Sequence, residues 1–214
     1  MDGRLIAIGD IHGCNAAFET LLEQIQPRAE DTLVTLGDYV NRGPDSRKVL
    51  DRLIKLRHEC HLVPLLGNHD ELLLEGMRLQ ELESHATEGA GLGDEEFTDE
   101  HRQFLESCRL FFETETHLFM HASYEHDRSM LEQDPDVLVW QRNRNRWPQP
   151  HQSRKVAVVG HTPQRNGELL DLGHLICLDT YCWGGGWLTG CDVRQGRVWQ
   201  VDRDGQVRVE SVSE

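Results

Sequence analysis

Three short apolar runs near the start of the chain constrain its fold most. Leu5–Ile8, Thr32–Leu36 and His61–Leu66 each pass directly into a glycine followed by a polar side chain: Gly9-Asp10, Gly37-Asp38 and Gly67-Asn68. Asp38 lies 28 residues after Asp10, and Asn68 lies 30 after Asp38. Between the runs the apolar spacing turns helical. Ala17, Phe18, Leu21, Leu22 and Ile25 mark a helix within 14–26, closed by Pro27, and Val49, Leu50, Leu53, Ile54 and Leu56 mark another over Ser46–Arg57. The pattern strand–helix–strand–helix–strand predicts a parallel sheet covered by helices. In such sheets the functional groups gather beyond the C-terminal ends of the strands, where these polar residues fall.

The rest of the chain is read more coarsely. Glu71–Glu83 has a helical pattern, Glu88–Asp94 reads as an exposed acidic loop, and Thr98–Cys108 as a helix with Thr98 as its N-cap. Arg109–Thr114 and Leu118–His121 form a candidate hairpin, and Val156–Val159 a strand ending in Gly160-His161-Thr162-Pro163. Leu175–Leu178, Trp187–Val193, Arg197–Val201 and Gln206–Val212 read as antiparallel strands, with turns at Gln195-Gly196 and Asp204-Gly205. We expect one α/β domain over 1–214, an α/β half facing a β-rich half in a two-sheet sandwich, with a helical and acidic insertion around 71–108.

Charge narrows the partners. Lys and Arg total 22 against 37 Asp and Glu, a net charge of −15. Such a surface argues against nonspecific nucleic-acid binding. It leaves room for a phosphorylated substrate, because a few local cations or a metal reverse the field inside a pocket. No apolar stretch reaches membrane-spanning length. The six cysteines form no CxxC pair and no secretion signal is seen, so they read as reduced thiols in the cytoplasm.

Five segments place metal-competent side chains directly after predicted strands. They are Gly9-Asp10-Ile11-His12-Gly13, Gly37-Asp38-Tyr39-Val40-Asn41-Arg42-Gly43, Gly67-Asn68-His69-Asp70, His121-Ala122 and Gly160-His161-Thr162-Pro163. Any one of them reads equally well as a turn or a cap. Together and in this order they point to convergence on one sheet edge. Carboxylate, amide and imidazole donors suit divalent ions such as Mn, Fe or Zn, and Asp38 is placed to bridge two of them.

The GDxHG, GDxxxRG and GNHD segments, followed by His and GH, resemble the signature of the metallophosphoesterase superfamily over roughly residues 5–202. Pro163 stands where nucleases of that superfamily usually carry a second His. With Arg42-Gly43, this brings the chain nearest to the phosphoprotein phosphatase branch in its short bacterial form, a relative of the symmetrical diadenosine tetraphosphate hydrolases. The resemblance implies a calcineurin-like fold of two mixed sheets flanked by helices. It implies two divalent ions, Mn²⁺ foremost: Asp10, His12 and Asp38 hold one, and Asp38, Asn68, His121 and His161 the other. It further implies in-line attack by a hydroxide between the ions, phosphate binding by Arg42 and Arg142, and His69 as general acid. The substrate so implied is a phosphoprotein or phosphopeptide, on serine or threonine, with tyrosine as a further option. The alternatives are diadenosine tetraphosphate or an impaired form that mainly binds phosphate.

One position departs from the branch. Asn41 stands where the family usually has the Asp that keeps the acid histidine protonated. An amide accepts one hydrogen bond but supplies no charge, and with its NH₂ turned to the ring it would fix the wrong tautomer. Three readings stay open: a change made to slow turnover, a leaving group needing little protonation, or a weakened enzyme. Diadenosine tetraphosphate hydrolases also lack that Asp, and Leu178-Asp179-Thr180-Tyr181-Cys182-Trp183 resembles their closing segment. Those hydrolases are longer between the His-Ala and Gly-His segments than the 40 residues from His121 to His161 here. Trp183, Trp187 and Trp199 are expected in packing, Gly184–Gly186 in a tight turn, Tyr124 and Asp127 near the cleft. His58, His85 and His101 are expected at the surface and Glu81–Glu100 on a solvated face.

Overall fold

The computed structural model describes residues 3–84, 97–143 and 146–211, with backbone alone at 81–84 and 211. The acidic loop 88–94, His85 and Arg144 lie outside the described residues.

The opening rhythm folds as its spacing predicts: β1 (Leu5–Ile8), α1 (Asn15–Ile25), β2 (Thr32–Thr35), α2 (Ser46–Leu56) and β3 (His61–Pro64). β1 pairs in parallel with β2 and β2 with β3, with Leu5 opposite Thr32 and Thr32 opposite His61. This level register brings the three C-terminal ends to one edge. α3 (Asn68–Ser84) begins inside the Gly67-Asn68-His69-Asp70 segment, three residues before its apolar pattern starts. α4 (Asp99–Glu106) starts at Thr98, whose side chain accepts from His101 N–H, and the His101 ring closes a capping box.

β4 (Phe111–Glu113) and β5 (His117–Met120) form the expected hairpin. There follow α5 (Pro135–Trp140), β6 (Val156–Val159), β7 (Leu170–Asp171), β8 (Leu175–Cys177), β9 (Trp187–Asp192), β10 (Arg197–Asp202) and β11 (Val207–Ser211). Two sheets result, ordered β11-β10-β9-β1-β2-β3 and β4-β5-β6-β8-β7.

Two expectations are corrected here. The chain does not divide into an α/β half and a β half: β9 returns to pair antiparallel with β1, so the C-terminal meander completes the first sheet. β8 does not join that meander. It lies in the second sheet, parallel to β6, while β7 takes the antiparallel place beside it. Local patterning carries strand character, whereas sheet membership depends on which apolar face finds a partner.

The strands of β1 and β2 are buried on both faces. Ile6, Ile8 and Leu33 face the helices and pack with Phe18, Leu21, Leu53 and Trp199. Leu5, Ala7, Val34 and Leu36 face the second sheet and pack on Phe119, Val158 and Leu178. Each large side chain so buried contributes about 1.5–3 kcal/mol, so this double burial fixes the sheet edge firmly. Trp199 is core, as expected, and so is Tyr124, which is 2% exposed and donates its hydroxyl to Gln149 O rather than lining the cleft. His101 is also buried, beside Asp51 at 2.9 Å, because it completes the α4 cap.

Candidate metal centre

The two sheets meet at the C-terminal ends of two sets of parallel strands. Asp10, Asp38 and Asn68 follow β1, β2 and β3. His121, His161 and Asp179 follow β5, β6 and β8. All six are buried.

Close approach explains the glycines that precede these residues. A Cβ on Gly160 would sit 2.1 Å from Asp10 Oδ1, and one on Gly67 would sit 2.3 Å from Asp38 Oδ1. Neither position has space for a side chain while those carboxylates stay where they are. The backbone is bent here as well. Among the described residues, His12, Asp38, Asn41, Arg42 and His161 all have positive φ, between 47° and 75°. Such conformations cost of order 1–3 kcal/mol each and persist when the surroundings fix them. Here the surroundings are backbone ties between loops: Ile11 and His12 N–H donate to Asp38 O, and Gly43 N–H donates to His12 O. Asp70, fully buried, accepts from Tyr39 and Gly67 N–H and clamps the second loop to the third.

Each imidazole is oriented by a backbone carbonyl. His12 Nδ1–H donates to Val40 O at 3.0 Å, His121 Nδ1–H to Leu36 O at 2.7 Å, and His161 Nε2–H to Trp140 O at 3.2 Å. The opposite nitrogen of each ring is left as a lone pair pointing inward. His121 Nε2 lies 3.1 Å from His161 Nδ1 and 3.2 Å from Asn68 Oδ1, and His161 Nδ1 lies 2.9 Å from Asn68 Oδ1. Three acceptors face one another there with no proton between them. Burial lowers the histidines further, His12 and His161 to about 3 and His121 to about 4, so at neutral pH they are neutral donors.

The carboxylates show the converse strain. Burial raises Asp38 to about 7, against the opposing pull of His69 N–H, Arg42 and Arg142. Burial, then the charges of Asp179 and Asp38, raise Asp10 well above the usual carboxylate range. Burial first, with Asp38 adding, lifts Asp179 to about 7. Crowded anions beside converging lone pairs are the donor chemistry of a divalent cation site. Two groups could hold an ion: His12, Asp38 and His69, and Asp38, His121 and His161. Asp38 belongs to both, with Oδ2 at 3.3 Å from His12 Nε2 and Oδ1 at 3.5 Å from His121 Nε2. Asp10 stands just outside either group, its two oxygens accepting from His161 N–H at 3.1 and 3.0 Å.

His69 lies edge-on to His12, 4.9 Å between ring centres, and Asn41 Nδ2 approaches His69 Nδ1 at 3.2 Å. The amide NH₂ donates to the ring, so Nδ1 is the acceptor and the one proton of the neutral ring sits on Nε2. This corrects the wrong tautomer expected from the sequence: the donor on Nε2 is kept, and His69 in this state has no bare nitrogen for an ion. What the arrangement disfavours is the doubly protonated ring, and burial with Arg42 and Arg142 lowers His69 in the same direction. The arginines are exposed at the rim. The Arg42 guanidinium lies over the Trp183 ring at 4.8 Å, and Arg142 lines a cleft beside His161.

The strand-end residues expected from the sequence converge here. Asp70, read only within its segment, and Asp179 and Trp183 have no site role in the sequence reading. Asp179 follows the strand-end rule that found the others, since it comes two residues after β8. Trp183, expected in packing, does pack on the core, yet it also carries Arg42.

Comparison with known proteins agrees with this geometry. The family profile described as calcineurin-like phosphoesterase matches residues 3–186. Symmetrical bis(5'-nucleosyl)-tetraphosphatases of Acidovorax sp. strain JS42 and Delftia acidovorans are 54% and 51% identical over 71 residues, 33% of this chain and 25% of theirs. The matched segment thus spans a quarter of the length of these curated relatives. Among solved structures, a candidate diadenosine tetraphosphatase superposes with a TM-score of 0.69 at 26% identity, over 98% of this chain and 94% of that one. A cold-active protein-tyrosine phosphatase of a Shewanella species shares the fold at 18% identity and a TM-score of 0.64, over 98% and 80% of the two chains. A two-sheet sandwich with strand-end carboxylates and imidazoles, matched over most of its length, places this chain in the calcineurin-like metallophosphoesterase family.

Proposed function

We propose that this protein hydrolyses a phosphoanhydride of a dinucleoside polyphosphate, diadenosine tetraphosphate foremost, and releases a nucleoside diphosphate. The observation that carries this is Asn41 at 3.2 Å from His69. Among the described residues the partner at His69 Nδ1 is this amide and not a carboxylate, so His69 offers a hydrogen bond from Nε2 rather than a readily lost proton. A terminal phosphate has a second pKa of about 6 and leaves as a stable anion at neutral pH. A serine alkoxide does not. The named tetraphosphatase relatives and the 26% identical structure support the same reading.

In this proposal residues 1–214 act as one unit. Asp10, His12 and Asp38 hold one divalent ion, and Asp38, Asn68, His121 and His161 hold the second. Mn²⁺ is the first choice, with Fe or Zn also suited to the donor set. When bound, the ions supply hydroxide at neutral pH and neutralise phosphoryl oxygens. Arg42 and Arg142 hold the phosphate through their guanidinium forks. Asn41 fixes the His69 ring so that Nε2–H faces the leaving oxygen. Six free thiols, five of them buried, suit a cytoplasmic setting.

A phosphoprotein phosphatase is the second reading. It is favoured by a groove of about 570 Å³ beside α3, where Glu71, Glu75 and Glu106 outnumber the one cation Arg78, which suits a basic peptide. The discriminating experiment offers the Mn²⁺-loaded protein and its Asn41→Asp variant diadenosine tetraphosphate and a phosphoserine peptide. ADP release within about threefold in the two proteins is expected, with phosphopeptide turnover gained about tenfold or more in the variant. Phosphate release from the peptide without ADP release by the natural protein would move the assignment to the second reading.

A further inference from the structure

Two clefts flank the candidate centre, and their charges are opposite. The groove along α3 is lined by Glu71, Glu75 and Glu106 against one cation, Arg78, which pairs with Glu106 at 3.8 Å. The other, about 410 Å³, is lined by Arg142, His161, Thr162, Pro163 and Arg165, and no carboxylate is among these described residues. On a chain of net charge −15 such a cation pair facing an open cleft is a local reversal of the field.

Arg165 is held in place. Its guanidinium carbon lies 5.3 Å from the centre of the Tyr181 ring, and that ring meets Trp183 at 4.8 Å, which in turn carries Arg42. The loop bearing Arg165 is tied to the closing segment, because Gln164 N–H donates to Asp179 O at 2.7 Å. Stacking on an aromatic face limits the freedom of an arginine while leaving its N–H fork open. Arg42 and Arg165 thus stand at opposite ends of one aromatic ledge, Trp183 and Tyr181. The centre lies next to Trp183, whose ring is 6.1 Å from that of His12.

We infer that Arg165, which lines the same cleft as Arg142, forms a subsite for the phosphate adjoining the scissile one in a polyphosphate chain. The inference rests on the phosphoanhydride reading above and gives that reading a specificity residue. A phosphomonoester has no second phosphate to fill the subsite, whereas a nucleoside polyphosphate does. The ledge then spaces two guanidinium forks along one anionic chain.

The test compares AMP with ADP, which differ by one phosphate. Calorimetric titration of each into the Mn²⁺-loaded full chain, at fixed excess Mn²⁺, is expected to show ADP binding about tenfold tighter than AMP, the size of one charge-assisted contact. In Arg165→Ala the two affinities should come within twofold of each other, and Arg165→Lys should fall between. Arg165 is exposed, so its removal leaves the core intact. An ADP preference that survives in Arg165→Ala, or no preference in the natural protein, would overturn the inference. Equal weakening of both ligands would overturn it too, since Arg165 would then serve the first phosphate. Failure to release ADP from diadenosine tetraphosphate would count against the proposed activity without changing this ratio.

Discussion

The two sets of parallel strands that supply the centre differ in how they are built. The first, β1–β2–β3, is contiguous in sequence, with one helix per crossover and near-equal spacing. The second, β5–β6–β8, is interrupted by a long excursion through α5 and by the edge strand β7. The first contributes carboxylates, an amide and the imidazoles of His12 and His69, and the second contributes His121, His161 and Asp179. The first set brings His12 and Asp38 together by itself, whereas the second group of donors closes only when Asp38 meets His121 and His161. The centre is a property of the seam, and Asp38 faces donors from both sides of it.

The sharpest way to break this picture is at Asp38. Because it faces both His12 and His121, Asp38→Asn should lower kcat/KM by at least about 10³-fold, beyond the 10–100-fold usual for a partner outside the ligand set. Bound metal counted by mass spectrometry should fall as well. Full metal content and near-natural turnover would show that the two sides work separately.

A smaller effect is expected from forcing the sides apart. Gly160→Ala places a methyl 2.1 Å from Asp10 Oδ1 as it stands, so Asp10 must turn away from His161 N–H. We expect about 10–100-fold lower activity with retained fold, read by steady-state kinetics beside a thermal melt. An unchanged rate would mean that Asp10 has no fixed role in the seam.

The smallest effect concerns the far end of the first set and should leave activity alone. Asp31, just before β2, accepts from Arg4 N–H and its guanidinium and from Arg28 N–H. Burial by itself would raise its carboxyl, but these bonds outweigh it and hold the group below its ordinary value. A depressed folded value stabilises the fold above the unfolded pKa of about 3.9, and that contribution is lost as pH falls through the folded value. Asp31→Asn should therefore cost about 1–3 kcal/mol at pH 7, with the gap to the natural protein closing below about pH 4. Denaturant melts at several pH values would read it, and a gap constant with pH would contradict the assignment.

Legibility followed the same contrast. The helices and strands of residues 5–66 could be read because each apolar run is local and each crossover is short. The metal-competent residues could be read because they stand directly after strands. Asp179 is legible only as part of a resembling segment, because Leu175–Leu178 reads as a strand of the terminal meander whereas β8 joins the second sheet. His101 reads as a surface residue in the sequence, since its pairing with Asp51 joins two different helices, α4 and α2.

By itself the sequence determined the strand-end donors, their order and the family, because turn glycines and apolar periodicity are local physics. Only the tertiary structure decided that β9 returns beside β1 and that β8 joins β6. It also decided that His121 and His161 aim their bare nitrogens at Asn68. Those outcomes depend on burying two faces of one strand at once and on which carbonyl each imidazole meets, and neither quantity is written along a chain.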